Sequence, residues 1–124
     1  MRIISGTHKG RRIVAPKKLP VRPTTDKSKE ALFNILQHKY DWSSIRVLDL
    51  FSGTGSISYE FASRGVTEVF SVDKNNSCIK FIQKTAEKHV VRFLMFVNNN
   101  EIPTATARSL SLKTTRQKSS SHSI

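Results

Sequence analysis

Acidic residues and cysteine are both scarce in this 124-residue chain: 9 Asp and Glu face 21 Lys and Arg, and there is one cysteine. A lone Cys78 cannot close an internal disulfide, and no Cys/His grouping has the spacing of a zinc site. A disulfide scaffold and a zinc module are therefore excluded, and no metal is expected. Cys78 is expected to pack on a helix face as a small hydrophobe. No apolar run of membrane-spanning length occurs, and the N-terminus lacks the apolar core of a signal peptide, so the expected setting is soluble and cytoplasmic, with no membrane partner. The formal net charge of +12 calls for a polyanionic partner, and without an apolar anchor that partner is nucleic acid. The length allows one domain with a modest core; it sets no oligomeric state.

Glycine is sparse too, with five residues, yet two of them fall together at Gly53 and Gly55. Val47 to Phe51 reads as a short apolar strand, Gly53-Thr54-Gly55 as a tight turn, and the segment after Gly55 as a helix. Asp73 closes a second apolar run, Glu68 to Val72. A glycine-rich strand-to-helix turn lets backbone approach a ligand closely, and an acid at the tip of the next strand can hold a ribose diol. The third glycine of the dinucleotide fingerprint is replaced by Ser58, and Asp49 lies inside the strand just before the turn. A carboxylate there repels the pyrophosphate that a helix N-terminus otherwise attracts. It suits a ligand carrying positive charge, such as S-adenosylmethionine (SAM), with its ammonium and sulfonium. A phosphate-binding P-loop is excluded, because no Gly-Lys-Ser/Thr follows the turn. The plainer alternative makes Asp49 and Asp73 loop caps in an ordinary α/β domain.

The positive charge concentrates in residues 1–29, where nine Lys and Arg accompany Asp26 alone. Arg2 to Ser5 and Arg11 to Val14 are β-prone runs around a Gly6–Gly10 turn, which predicts a basic hairpin. Pro16, Pro20 and Pro23 keep the following chain extended. Such a hairpin is a candidate grip on a phosphate backbone, with a solvated, merely solubilising arm as the alternative. Thr24, Thr25 or Asp26 caps a helix predicted to run to about His38, with Leu32, Ile35 and Leu36 on its apolar face. Trp42 is expected as a packing anchor. Ile57 and Phe61 mark the inward face of the next helix, which Gly65 ends. A helix over about Asn76 to Lys88 buries Cys78, Ile79, Ile82 and Ala86, and Val90 to Val97 is a third candidate strand. From Ile102 onward there is no acid, and Ser and Thr make up ten of 23 residues, a composition expected to stay disordered. The organisation is thus a basic arm over 1–23, a SAM-binding α/β unit over 24–101, and a tail over 102–124.

Met1-Arg2-Ile3-Ile4-Ser5-Gly6, Lys9-Gly10-Arg11-Arg12, Arg22-Pro23-Thr24-Thr25-Asp26, Lys29 to Leu36 and Val47-Leu48-Asp49-Leu50-Phe51 resemble the RsmD-type methyltransferases, from Met1 to about Lys88. That bacterial family transfers methyl from SAM to the N2 amine of a guanine in 16S ribosomal RNA of the small ribosomal subunit. The resemblance implies the N-terminal part of a Rossmann-like SAM-dependent methyltransferase fold with a basic hairpin extension. It also implies that Asp49, Ser52, Gly53 and Gly55 line the methionine end of SAM, that Asp73 holds the ribose hydroxyls, and that Arg22 and Thr24 lie against the cofactor cleft. Arg2, Lys9, Arg11, Arg12, Lys17 and Lys18 are the candidate RNA contacts.

One family feature does not occur. Family members aim the amine lone pair with an Asn/Asp-Pro-Pro-Tyr loop after the fourth strand, and positioning of this kind is most of what such an enzyme supplies. Here the four prolines are Pro16, Pro20, Pro23 and Pro103, none adjacent. No catalytic residue is assigned, and little or no turnover by this chain is expected. The first strand is expected to present an uncovered edge. The change in composition near Lys88 is the expected mark of a truncated or frame-shifted sequence. The competing readings are a non-catalytic basic RNA-binding module with a vestigial cofactor site, and a chain that does not fold stably.

Overall fold

The computed structural model describes residues 1–89, 94–98 and 122–123. The N-terminal hairpin forms as its turn residues require. Gly6 and Gly10 both adopt positive φ, the Ile3 amide donates to the Arg11 carbonyl (3.0 Å), and the Ile13 amide donates to the Met1 carbonyl (3.0 Å). The strict ladder is a single antiparallel bridge, Arg2 to Arg12. The two-residue side-chain period turns Ile3 and Ile13 into the core and leaves Arg2 and Arg12 outside; Arg11, next to the turn, is exposed as well.

Helix α1 spans Asp26–Leu36. Its N-cap is Thr25, whose hydroxyl accepts from the Ser28 amide (3.1 Å), and Asp26 complements the helix N-terminus. The apolar face differs from the expected one. Lys29 and Phe33 form the buried stripe, flanked by Leu32 and Leu36, while Ile35 is 58% exposed. The true stripe runs through a lysine, which a search for apolar periodicity passes over. A single 3-10 turn over Trp42–Ser44 leads to the first strand. Trp42 packs against Phe61 and Phe33 at ring separations of 5.8 and 6.0 Å, as a packing anchor should.

The remaining elements are β1 (Arg46–Asp49), α2 (Ser56–Ser63), β2 (Glu68–Asp73), α3 (Asn76–His89), β3 (Leu94–Asn98) and β4 (His122–Ser123). The sheet order is β3-β2-β1-β4, and every neighbouring pair is parallel. Parallel strands need crossovers, and α2 and α3 supply them, which makes this one half of a doubly wound α/β sheet. The outer edge of β1, expected to be uncovered, is paired over two residues: Val47 with His122 and Leu48 with Ser123. The tail over 102–124 thus contributes a short strand. The remainder of that tail lies outside the described residues, as do positions 90–93 of the third candidate strand and most of the segment read as frame-shifted.

Six of the eight residues of α2 are buried, because the sheet lies on one side and the hairpin on the other. On the hairpin side the Ser63 carbonyl accepts from the Thr7 amide (2.8 Å), and the Ser63 hydroxyl donates to the Ser5 carbonyl (2.6 Å). This contact fixes Gly6. A Cβ there would lie 1.9 Å from the Ser63 carbonyl oxygen, and its φ is +90°, whereas Gly10, at φ +82°, faces open space. Gly6→Ala is therefore expected to cost roughly 2–4 kcal/mol, and Gly10→Ala about 1 kcal/mol from backbone strain alone. Urea unfolding midpoints measure both; equal costs would show that Ser63 is not what demands glycine at position 6. No helix among the described residues is long and apolar enough to cross a membrane.

Candidate functional site

The loops at the carboxyl ends of β1 and β2 are stitched together. Ser52 donates to the Val72 carbonyl through both its amide (3.1 Å) and its hydroxyl (3.0 Å), which draws the loop after β1 onto the end of β2. Gly53, at φ +54°, turns its amide toward Asp73 and donates to Oδ2 (2.9 Å), while the Asn75 amide donates to Oδ1 (2.8 Å). A carboxylate offers about four acceptor positions, so each Asp73 oxygen retains capacity for a further donor. Two hydroxyls of a ribose match that capacity.

Asp49, the last residue of β1, is buried. Its Oδ2 accepts from the Ser58 hydroxyl (2.8 Å), and Ser58 in turn accepts from Ser71 on β2 (2.5 Å). Burial, with the charge of Asp73 adding to it and hydrogen bonds from Ser58 and the Phe51 backbone opposing it, leaves the Asp49 pKa raised to about 6. At neutral pH the group remains mostly ionised, an anion held at the rim of a cavity in which Arg22 is the one cation among the described lining residues.

That cavity, of about 310 Å³, gathers most of the residues that the sequence singled out. Arg22, Thr24, Asp49, Ser52, Gly53 and Asp73 all line it. Gly55 stands apart. It is the N-cap of α2 at φ +83°, and a Cβ there would lie 2.7 Å from the Tyr59 ring and 2.9 Å from Ile82. The positive φ and the packing of the Tyr59 ring and Ile82 both demand glycine at that position. The candidate RNA contacts Arg2, Lys9, Arg11, Arg12, Lys17 and Lys18 are all exposed on the arm, outside the cavity, with the Arg2 amide donating to Asp26 (3.1 Å).

Sequence reading missed several participants. Phe51, 87% exposed, and Thr54, Ser56 and Ile57 also line the cavity. Ser58, read only as a missing glycine, anchors the Asp49 carboxylate. Lys29, counted as part of the charged arm, is buried behind the site. Its Nζ donates to the Arg2 carbonyl (2.6 Å) and to Ser56 Oγ (3.1 Å) and lies 3.4 Å from Glu60 Oε1. Burial lowers the Lys29 pKa, and Glu60 pulls it back up. Glu60, fully buried, also accepts from the Ile4 and Ser5 amides (2.8 and 3.1 Å) and from Arg64 Nε (2.8 Å). The available signal was spacing: Glu60 sits between Ile57 and Phe61 on the inward face, four residues before Arg64.

The sequence pattern of a family described as Conserved hypothetical protein 95 matches residues 1–120, running on past Lys88. A Bacillus subtilis protein carrying the name rRNA methyltransferase YlbH is 41% identical over 83 residues, covering 67% of this chain and 44% of its own length. Ribosomal RNA small subunit methyltransferase D of Haemophilus influenzae is 32% identical over 87 residues, covering 70% and 44%. Among solved structures, the Escherichia coli methyltransferase yhhF superposes with a TM-score of 0.69 at 29% identity, over 80% of this chain and 52% of that one. The chain spans about half the length of the relatives it matches, or less.

Proposed function

The chain belongs to the RsmD-type methyltransferase family, and from that premise we propose that it forms the SAM-binding part of an enzyme that methylates the N2 amine of a guanine in 16S ribosomal RNA. The observation that carries the cofactor reading is the pair of carboxylates on one cavity: Asp49, buried and held by Ser58, and Asp73, clamped to the Gly53 amide. A buried anion facing a cavity favours a cationic ligand group there. Asp49 suits the ammonium of SAM, and Asp73, with its spare acceptor capacity, suits the ribose hydroxyls. Ser52, Gly53, Thr24 and Arg22 complete the wall, with Arg22 the cation available to the cofactor carboxylate. SAM supplies a methyl group already activated by its sulfonium; the residues here hold and orient it.

The substrate class rests on family membership together with the net charge of +12 and the exposed cations of the arm. Guanine N2 and the small subunit follow from the family alone, as does a cytoplasmic setting. The Asn/Asp-Pro-Pro-Tyr loop does not occur in these 124 residues, so no catalytic residue is assigned and little turnover by this chain alone is expected.

Calorimetric titration with SAM tests the reading. Asp73→Asn, which keeps an acceptor for the Gly53 amide, is expected to weaken SAM at least tenfold, about 1.4 kcal/mol, and to leave RNA affinity unchanged. Saturable RNA binding with no SAM heat in the wild type would instead favour the non-catalytic RNA-binding module.

A further inference from the structure

A second cleft, of about 300 Å³, opens between the outgoing strand of the hairpin and α3, apart from every residue of the cofactor cavity. Ile13, Val14 and Phe81 form its apolar surface, and Arg12, Lys84 and Lys88 ring it with positive charge. No acidic side chain is among the described residues that line it. Phe81, Lys84 and Lys88 share one face of α3 at helical spacing. Two lysines four residues apart repel one another, so the helix gains nothing from that pairing itself. Val14 is 86% exposed, although neighbouring Ile13 is buried in the core.

We infer that this cleft binds an unstacked nucleotide of a single-stranded RNA, with its phosphates on Arg12, Lys84 and Lys88 and its base against Phe81 and Val14. The inference rests on the RNA-modifying reading above and assigns it a second contact, remote from the cofactor. Three features select single-stranded RNA. A cationic rim around an apolar, partly aromatic floor matches how single strands are held: phosphates by charge and bases by stacking. The volume is at the low end for small-molecule sites, enough for a nucleotide and too narrow for a duplex. Finally, Arg12 links the cleft to the exposed cations of the arm, so a strand leaving the cleft stays on positive surface. An acidic polypeptide would satisfy the rim and leave the aromatic floor unused.

The experiment is fluorescence anisotropy of a short labelled single-stranded RNA on the full chain over a range of salt, with SAM calorimetry on the same preparations. Lys84→Gln with Lys88→Gln should weaken RNA at least tenfold and lower the log–log salt slope by about 1.4, the share of two phosphates on a single strand. Phe81→Leu, which keeps an apolar side chain, should weaken RNA about tenfold with the slope unchanged. Both variants should bind SAM as the wild type does. Wild-type RNA affinity in both cleft variants, with loss only in Lys17→Gln/Lys18→Gln, would overturn the assignment and leave the arm as the RNA contact. Displacement of RNA by polyglutamate at equal charge, with Phe81→Leu silent, would also overturn it. Absence of SAM binding in the wild type, with the cleft variants still losing RNA, would strike the methyltransferase reading and leave the cleft standing.

Discussion

Asp49→Asn is expected to stabilise the ligand-free protein by roughly 2–3 kcal/mol at pH 7 while abolishing its affinity for SAM. The two effects share one cause. Burial raises the folded-state pKa of Asp49 from 3.8 to about 6. Between those values the native protein holds a proton that the unfolded chain has released, so stability falls as pH rises through that window and stays lower above it. At pH 7 the fold therefore carries an ionised group that its surroundings disfavour. Asparagine has the same shape, can still accept the Ser58 hydrogen bond, and has no charge to desolvate. At pH 4 the wild-type group is largely protonated and the advantage of the variant should nearly vanish. Urea unfolding at both pH values reads this directly. A variant less stable than wild type at pH 7 would mean that the carboxylate supports the fold and is not held for a ligand. Cofactor binding should show the complementary dependence in the wild type, weakening as pH drops through about 6 and Asp49 loses its charge.

Glu60→Ala is expected to cost about 3–5 kcal/mol, more than Gly6→Ala, because it strands a buried charge. Three elements meet at this carboxylate: the hairpin through the Ile4 and Ser5 amides, α1 through Lys29, and the end of α2 through Arg64. Removing it leaves Lys29, 1% exposed, as a buried cation without its anion. Two hairpin amides lose their acceptor at the same time. Amide hydrogen exchange at Ile4 and Ser5 should accelerate along with the drop in unfolding midpoint. Glu60→Gln should do less harm, because the carbonyl can still accept from an amide. It should also become more stable with rising pH: burial lowers the folded pKa of Lys29 from 10.5, so the unfolded chain binds the extra proton. A loss below about 1 kcal/mol in Glu60→Ala would show that the hairpin is held without this carboxylate.

The strand–turn–helix–strand core was readable because its signals are local. Val47 to Phe51 is a short apolar run, Gly53 sits where positive φ is needed, and Asp73 ends its strand, so Asp49, Gly53 and Asp73 could be placed near one another from sequence. The Thr25 cap and the anchoring role of Trp42 were legible for the same reason. What escaped depends on pairing across the chain. Lys29 and Glu60 each read as surface residues alone; only their meeting, 31 positions apart, makes both of them interior. Ser58 and Ser71 carry no signal until the register of β1 on β2 sets Ser71 opposite Asp49. A glycine turn serves ligand approach and helix packing alike, so the demand that the Tyr59 ring places on Gly55 could not be read from the turn itself. Ile35 was assigned to the core because the apolar period was counted without its charged member.

Helix α2 touches both halves of the molecule at once. Through Ser58 it holds Asp49, and through Glu60 and Ser63 it holds the hairpin. Almost no position on it is left to vary freely. Neutral drift must therefore pass this segment by and accumulate at exposed positions that neither the core nor a candidate contact uses. A library spread across α2 would spend most of its members on chains that never assemble.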